Sequence, residues 1–307
     1  MLNTPMDVLS QFPVRKNARQ KQAFREAVCA YARAKGYETH IEEGSLKSRN
    51  VLIGNPDAAK YLITAHYDTP ARMFLPNFLT PCNFAVYLIY QLLVTFAIML
   101  PSILIGCAVG KYTQNFDTGY FVWYFCFLAS FALMLFGPAN PSNANDNTSG
   151  VVTVLNMLDV LPQANRDDVC FVLFDLEEMG LVGSKSYQKA HKVATKNQMV
   201  LNLDCVGDGD TILAFPTKQL LKNAAKMDIL RKMNGANDHK SVRVHQQGFY
   251  VYPSDQRNFP YGVGVAAFRK NKYIGYYCDR IHTNRDTILD EGNVKLICDR
   301  LLAVITE

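Results

Sequence analysis

Little in this chain points to a disulfide-stapled or nucleic-acid-binding protein. Its eight cysteines, at positions 29, 82, 107, 126, 170, 205, 278 and 298, include no C-x-x-C pair, and three of them fall within apolar runs. Reduced, buried thiols distribute in that way, whereas a secreted disulfide framework does not. The first thirty residues contain no apolar core of signal-peptide length, so the bulk of the protein is expected in a reducing cytosol. Charge is sparse as well, with 19% of 307 residues charged and a net charge of +5. Basic residues are scattered except near the N-terminus (Arg15, Lys16, Arg19, Lys21, Arg25). A nucleic-acid surface needs a denser stripe with interleaved aromatics, so no nucleic-acid partner is expected. The 49% of apolar residues can support a sizeable core in one large α/β domain or two ordinary ones.

A sharper absence lies inside the chain. From Met73 to Gly110 no residue is charged, and 84–109 is almost wholly apolar. After KYTQNFD a second run, GYFVWYFCFLASFALMLFGP, covers 119–138. Each run reaches the roughly twenty residues needed to cross about 30 Å of hydrocarbon. Tyr120, Trp123 and Tyr124 cluster at one end of the second run, as interface-seeking aromatics do. These features predict a transmembrane helical hairpin at 73–138, entering the lipid bilayer through residues 78–110 and 119–138. A buried hairpin, or an apolar lid for oligomer contact, would leave a similar imprint, and Pro101 and Gln91 make the first run imperfect. Because the hairpin interrupts a domain, both its ends must lie on one face of the membrane. The N-terminal basic residues point to the cytoplasmic face. The hairpin also offers a surface for homo-oligomer formation.

Outside the hairpin, 17–35 carries Phe24, Val28 and Tyr31 at helical spacing and stops at Gly36. ETHIEE, NVLIG and KYLITAHYD read as strands. Beyond residue 145 strands and helices alternate: GVVTVLNMLDVL helical, DVCFVLFDLEE a buried strand, GLVGSKSYQKAH helical, QMVLNLDCVG a strand. Then 217–233 reads as a helix, GVGVAAF as a strand, and a helix closes the chain from about 290. This pattern predicts a single α/β domain formed by 1–72 and 139–307, with a central mixed, mostly parallel sheet and helices on both faces.

Five stretches at strand ends carry metal-competent side chains. They are ITAHYD (His66, Asp68), NANDN (Asp146), FDLEEMG (Glu177, Glu178), LNLDCVG (Asp204) and RIHTNRDT (His282). In open α/β sheets, ligands gather beyond the carboxyl ends of the strands. Two histidines and three carboxylates suffice for two zinc ions when one carboxylate bridges both. Asp68 stands where it would accept from the His66 imidazole and fix its tautomer. Adjacent glutamates cannot point the same way, so one of Glu177 and Glu178 is free to act as general base while the other binds metal. Singly, each stretch has an ordinary explanation: a solvated acidic pair, a structural histidine, a helix cap in NDNTSG. It is their ordered combination that points to a metal centre, with Asp146 as the bridging ligand.

In these motifs the chain resembles the bacterial leucyl aminopeptidase family of di-zinc metallopeptidases, over 17–72 and 139–306. The resemblance implies His66 and Asp204 on one zinc, Glu178 and His282 on the other, and Asp146 on both. It implies Glu177 as general base and Asp68 as support for His66. The implied activity is aminopeptidase hydrolysis of a peptide substrate with a free N-terminus. Two departures stand out. Thr69–Ala144 replaces a short loop, which would hold the active-site rim close to the membrane, and PSDQRNF carries Gln256 where the family often has His. Arg72, Arg257, Arg280 and Arg285 lie near the site loops, either to grip a substrate carboxylate or as partners for Asp279 and Asp286. Glutaminyl cyclases of the same superfamily work with one zinc and pocket tryptophans, one of them just before the last histidine. That position is Ile281 here, and the sole tryptophan, Trp123, lies in the hairpin. A non-catalytic membrane relative would have lost ligands that are all present.

Overall fold

Short apolar runs and amphipathic segments resolve into a sheet covered on both faces by helices. The computed structural model describes residues 2–246 and 248–306. In chain order the elements are α1 (Asp7–Gln11), α2 (Ala18–Ala34), β1 (Thr39–Glu43), β2 (Arg49–Ile53), β3 (Tyr61–His66), α3 (Phe84–Thr113), α4 (Phe116–Phe136), α5 (Gly150–Val160) and β4 (Val169–Phe174). There follow α6 (Val182–Ala190), β5 (Met199–Leu203), β6 (Thr211–Pro216), α7 (Lys218–Leu221), α8 (Ala224–Arg231), β7 (Gly235–Ala236), β8 (Ser241–Val244), β9 (Gly262–Asn271), β10 (Gly275–Tyr277) and α9 (Glu291–Ile305).

The strands lie in the order β1-β2-β4-β3-β5-β9-β6-β8-β7, with β10 paired to β9. β4, β3, β5 and β9 are mutually parallel, and antiparallel pairs extend the sheet on both sides. A parallel centre must be covered on both faces, so its strands read as unbroken apolar runs. β4 shows this residue by residue. Val169, Phe171 and Leu173 join the larger core with Phe24 of α2, Leu155 of α5 and Leu301 of α9. Cys170, Val172 and Phe174 point the other way, onto Tyr187 of α6 and Phe259.

Three boundaries differ from the sequence reading. β4 ends at Phe174, because Leu176 and Leu181 adopt positive φ (55° and 62°) and the E-E-M-G segment turns back into α6. The helix expected over 217–233 is two helices, since the Thr217 side chain caps α7 and Asn223 caps a fresh start at α8. β6, β7, β8 and β10 were not anticipated; most are very short, and their pairing on β9 and on one another defines them.

The apolar runs form the hairpin α3–α4, with Asn83 and Asn115 capping the two helices. At 1.5 Å per residue they are about 45 Å and 32 Å long. Both are long and apolar enough to cross a membrane, and most of their large side chains are exposed. Near the tip the helices cross on glycine: a methyl group on Gly106 would lie 2.6 Å from the Gly119 carbonyl oxygen. Pro101 sits within α3 without ending it. The first turns of α3 rest on the globular part, where Tyr90 Oη donates to the Pro76 carbonyl (2.7 Å) and Phe84 meets Phe249. Gln91 is at this level, lining a hollow beside the candidate site, which explains a polar residue in that run.

Candidate metal centre

The parallel register brings the C-terminal ends of β3, β4 and β5 to one edge. β3 delivers His66 as its last residue, the turn after β4 carries Glu177 and Glu178, and Asp204 follows β5. Asp146 precedes α5, and His282 lies in the loop before α9. All five proposed ligands and Glu177 line one cavity of about 320 Å³.

Asp146 stands at its centre. Its Oδ1 is 3.3 Å from His66 Nε2, which is also 3.6 Å from Asp204 Oδ1. Its Oδ2 is 3.1 Å from His282 Nε2, which is 3.7 Å from Glu178 Oε2. Each oxygen of one carboxylate thus faces a different imidazole–carboxylate pair, and both triads are close enough to share a cation. Two donors bonded tetrahedrally to one zinc at 2.0–2.1 Å lie about 3.3 Å apart, which is the spacing found. Four carboxylates against two imidazoles in a buried site also leave negative charge that a cation would compensate. The N/O donor set fits zinc.

The loop bearing Asp146 is held on three sides. Asp286 accepts the backbone N–H of Asn145 (2.8 Å) and Asp146 (3.0 Å). The Asn145 side chain accepts from Gly207 (2.6 Å). Asn147 donates to the Leu203 carbonyl (2.9 Å) and accepts from Gly150 and Cys205. Within NDNTSG it is the Asn147 side chain that accepts the first backbone N–H of α5, and the Asp146 carboxylate is left to face the histidines. A Cβ at Gly150 would collide with Asn147 and with the Leu203 carbonyl, which is why glycine is needed there. Cys205 and His282, at the rim, hold positive φ of 56° and 63°, as strained residues at functional sites often do.

Asp68 bridges backbone groups: Oδ1 accepts the Glu177 N–H (3.0 Å) and Oδ2 the Glu178 N–H (3.2 Å). Its distance to His66 Nδ1 is 3.5 Å, longer than a good hydrogen bond. Its geometry therefore favours fixing the glutamate turn over fixing the imidazole.

Burial pushes Glu177 well above the carboxylate range against the pull of His66, and raises Glu178 to about 8 despite His282. Burial opposes charge on His282, but Glu178 and Asp146 override it and lift the group to about 9. Asp146, although buried, is held low by both histidines.

Several residues beneath the site escaped the sequence reading. Of the N-terminal basic cluster, Arg15, Lys21 and Arg25 are buried. Arg15 donates to the Tyr67 carbonyl (2.6 Å) and Thr148 Oγ1 (3.1 Å). Lys21 pairs with Asp175 at 2.6 Å, and Arg25 donates to Tyr67 Oη. These cations support the loops that carry the carboxylates and are not available to a membrane surface. A signal was present: basic residues at positions 21 and 25 share a helix face with Phe24 and Val28. Arg280 pairs with Asp208 (3.3 Å) and Arg285 with the Asp279 carbonyl, while Asp286 serves the Asp146 loop instead of an arginine. Gln256 is buried, donating to the Tyr252 carbonyl and accepting from Asn202.

Residues 129–304, more than half of the chain, match Peptidase family M28. That span contains Asp146, Glu177, Glu178, Asp204 and His282 and begins downstream of His66. Aminopeptidase YwaD of Bacillus subtilis is 29% identical over 143 residues, covering 41% of this chain and 30% of the relative's own length. A Zn-dependent exopeptidase from Parabacteroides distasonis aligns with a TM-score of 0.62 at 12% identity, over 99% of this chain and 98% of the other. A glutaminyl cyclase from Porphyromonas gingivalis gives 0.57 at 15% identity, over 99% and 97%; likenesses at this identity concern the fold. By the match over 129–304, this chain belongs to peptidase family M28.

Proposed function

We propose that the protein is a membrane-anchored zinc aminopeptidase that binds two ions and removes N-terminal residues from peptides. The observation that carries this reading is Asp146, whose two oxygens face separate imidazole–carboxylate pairs at 3.1–3.7 Å. In this reading His66 and Asp204 hold one ion, Glu178 and His282 the other, and Asp146 both. When bound, zinc supplies Lewis-acid polarisation of the scissile carbonyl and acidifies a water toward neutrality.

Glu177 takes the water proton and hands it to the leaving amine. Its main chain is fixed by Asp68, and burial raises its proton affinity toward the working range of a general base. Leu79, Cys205, Tyr252, Pro253 and Ile281 give the cavity an apolar wall suited to one apolar side chain, and Leu135 of α4 completes it.

The segment 73–138 is proposed to be an insert whose helices enter lipid, with the catalytic part on the cytoplasmic side. The buried N-terminal cations no longer support that orientation; the eight free cysteines do. Carbonate washing without detergent would release the protein from membranes if the hairpin stayed out of lipid.

The decisive experiment uses detergent-purified protein. Bound zinc is counted, and free and N-acetylated peptides are assayed beside N-terminal glutaminyl peptides. Hydrolysis of free N-termini is expected. Equal rates on acetylated peptides would exclude an aminopeptidase, and ammonia release with ring closure would indicate a glutaminyl cyclase.

A further inference from the structure

The metal cavity does not end at the metal ligands. A hollow of about 230 Å³ adjoins it, sharing Asn77, Leu135, Glu178 and His282 with it. That hollow shares Met73, Val94 and Met134 with a crevice of about 480 Å³ between α3 and α4. The three hollows thus lie in series, separated only by shared side chains, from the ligand cluster to the hairpin below the Gly106–Gly119 crossing.

The lining of the crevice decides what could lie in it. Its lining includes Ala97, Pro101, Cys126 and Ala129, small or apolar residues of the two facing helices. Its two hydroxyls are turned onto their own helices, Ser102 Oγ donating to the Ile98 carbonyl (3.0 Å) and Ser130 Oγ to the Cys126 carbonyl (2.8 Å). The charged lining residue, Arg72, stands in the loop at the globular end. An extended peptide would bury backbone N–H and C=O groups there without partners, at several kcal/mol each in a lipid-like setting. A helix, about 10 Å across, would fill the space with little more than one turn. A hydrocarbon chain brings no polar group that needs satisfying.

We propose that the crevice between α3 and α4 receives one long unbranched hydrocarbon chain, and that the amide cleaved at the adjoining centre belongs to the molecule carrying it. The substrate class is an amide with a free α-amine on its acyl half and a long alkyl chain on its amine half. This rests on the aminopeptidase reading above, which puts the short amine-bearing residue in the cavity and sends the remainder outward past Glu178 and His282. In the reaction a water oxygen bonds to the carbonyl carbon and the C–N bond breaks. The proton taken by Glu177 goes to the departing nitrogen, leaving an amino acid and a long-chain amine.

The test uses the full chain, zinc-loaded, in lipid nanodiscs. Leucyl amides with N-alkyl groups from ethyl through butyl to dodecyl are compared with an apolar leucine-rich peptide. From the burial of successive methylenes, kcat/KM is expected to rise at least about tenfold from butyl to dodecyl. Ala97→Phe, which fills the crevice, is expected to abolish that rise and leave ethyl-amide turnover unchanged. Ala129→Leu on the facing helix serves if the first variant does not fold. A dodecylamine brominated at its chain end should quench the sole tryptophan, Trp123, saturably in the wild type and not in the filled variant. Turnover that ignores chain length while ethyl amide is cleaved overturns this proposal and leaves the aminopeptidase reading intact. So does faster cleavage of the leucine-rich peptide, or saturable quenching without any chain-length effect, which marks a resident lipid. Failure to cleave any free-amine substrate despite bound zinc overturns both.

Discussion

The backbone N–H of Met73 donates to the carbonyl oxygen of His282 at 2.7 Å. Two further contacts continue this seam, from Asn77 to Ile281 (3.3 Å) and between Leu79 and Cys278 (2.9 Å). The segment that enters the hairpin is thereby stitched to the loop that presents a candidate ligand, and that ligand sits at a φ of 63°. Position of the hairpin and orientation of His282 are thus mechanically linked.

Replacing Met73 by proline removes this donor without changing the ligand set. Zinc affinity is expected to fall about 10–100-fold, the range typical for partners that orient a ligand. Competition titration with a chelator measures it, and circular dichroism checks that the fold persists.

Glu177→Gln keeps shape and removes the base. Zinc content should stay at the wild-type level while kcat drops by roughly 10²–10⁴-fold. Loss of metal together with turnover would instead make Glu177 a ligand.

Asp146→Ala should lose both ions, read by elemental analysis. In the wild type, zinc affinity should rise with pH. Glu178, at about 8, and His282, at about 9, hold protons below those values that the ion must displace. The gain should therefore flatten above roughly pH 9.

Lys21 and Asp175 form a buried ion pair, and Asp175 also accepts from the backbone of Arg49 and Leu176. Lys21→Ala leaves that carboxylate uncompensated and should cost about 3–5 kcal/mol, seen as a lowered Tm.

His191 lies between Asp57 (2.8 Å) and Glu42 (2.7 Å). Burial disfavours its charge, but the two carboxylates prevail and its pKa is raised. A raised histidine adds stability that is complete below its unfolded value of about 6.5 and is lost as pH climbs through the folded value. Tm should fall over that window in the wild type, and His191→Gln should flatten the dependence.

Much of this was legible from local pattern. α2 closes at Gly36 with Phe24, Val28 and Tyr31 buried, and the unbroken apolar run of β4 marked a strand covered on both faces. The small strands and the break at Asn223 were not legible, because two- to four-residue segments such as β7 and β8 carry too short a period to register.

The sequence by itself determined the donor types, their order, their placement at strand ends and the two charge-free apolar runs of the hairpin, since each depends only on neighbours along the chain. Tertiary structure alone decided that Asp146 turns its two oxygens to different histidines and that three of the N-terminal cations, Arg15, Lys21 and Arg25, are buried beneath the carboxylates. It also decided that Leu135 of α4 walls the cavity. Those relations join groups separated by dozens of residues, and only the packing of the sheet against its loops sets such distances.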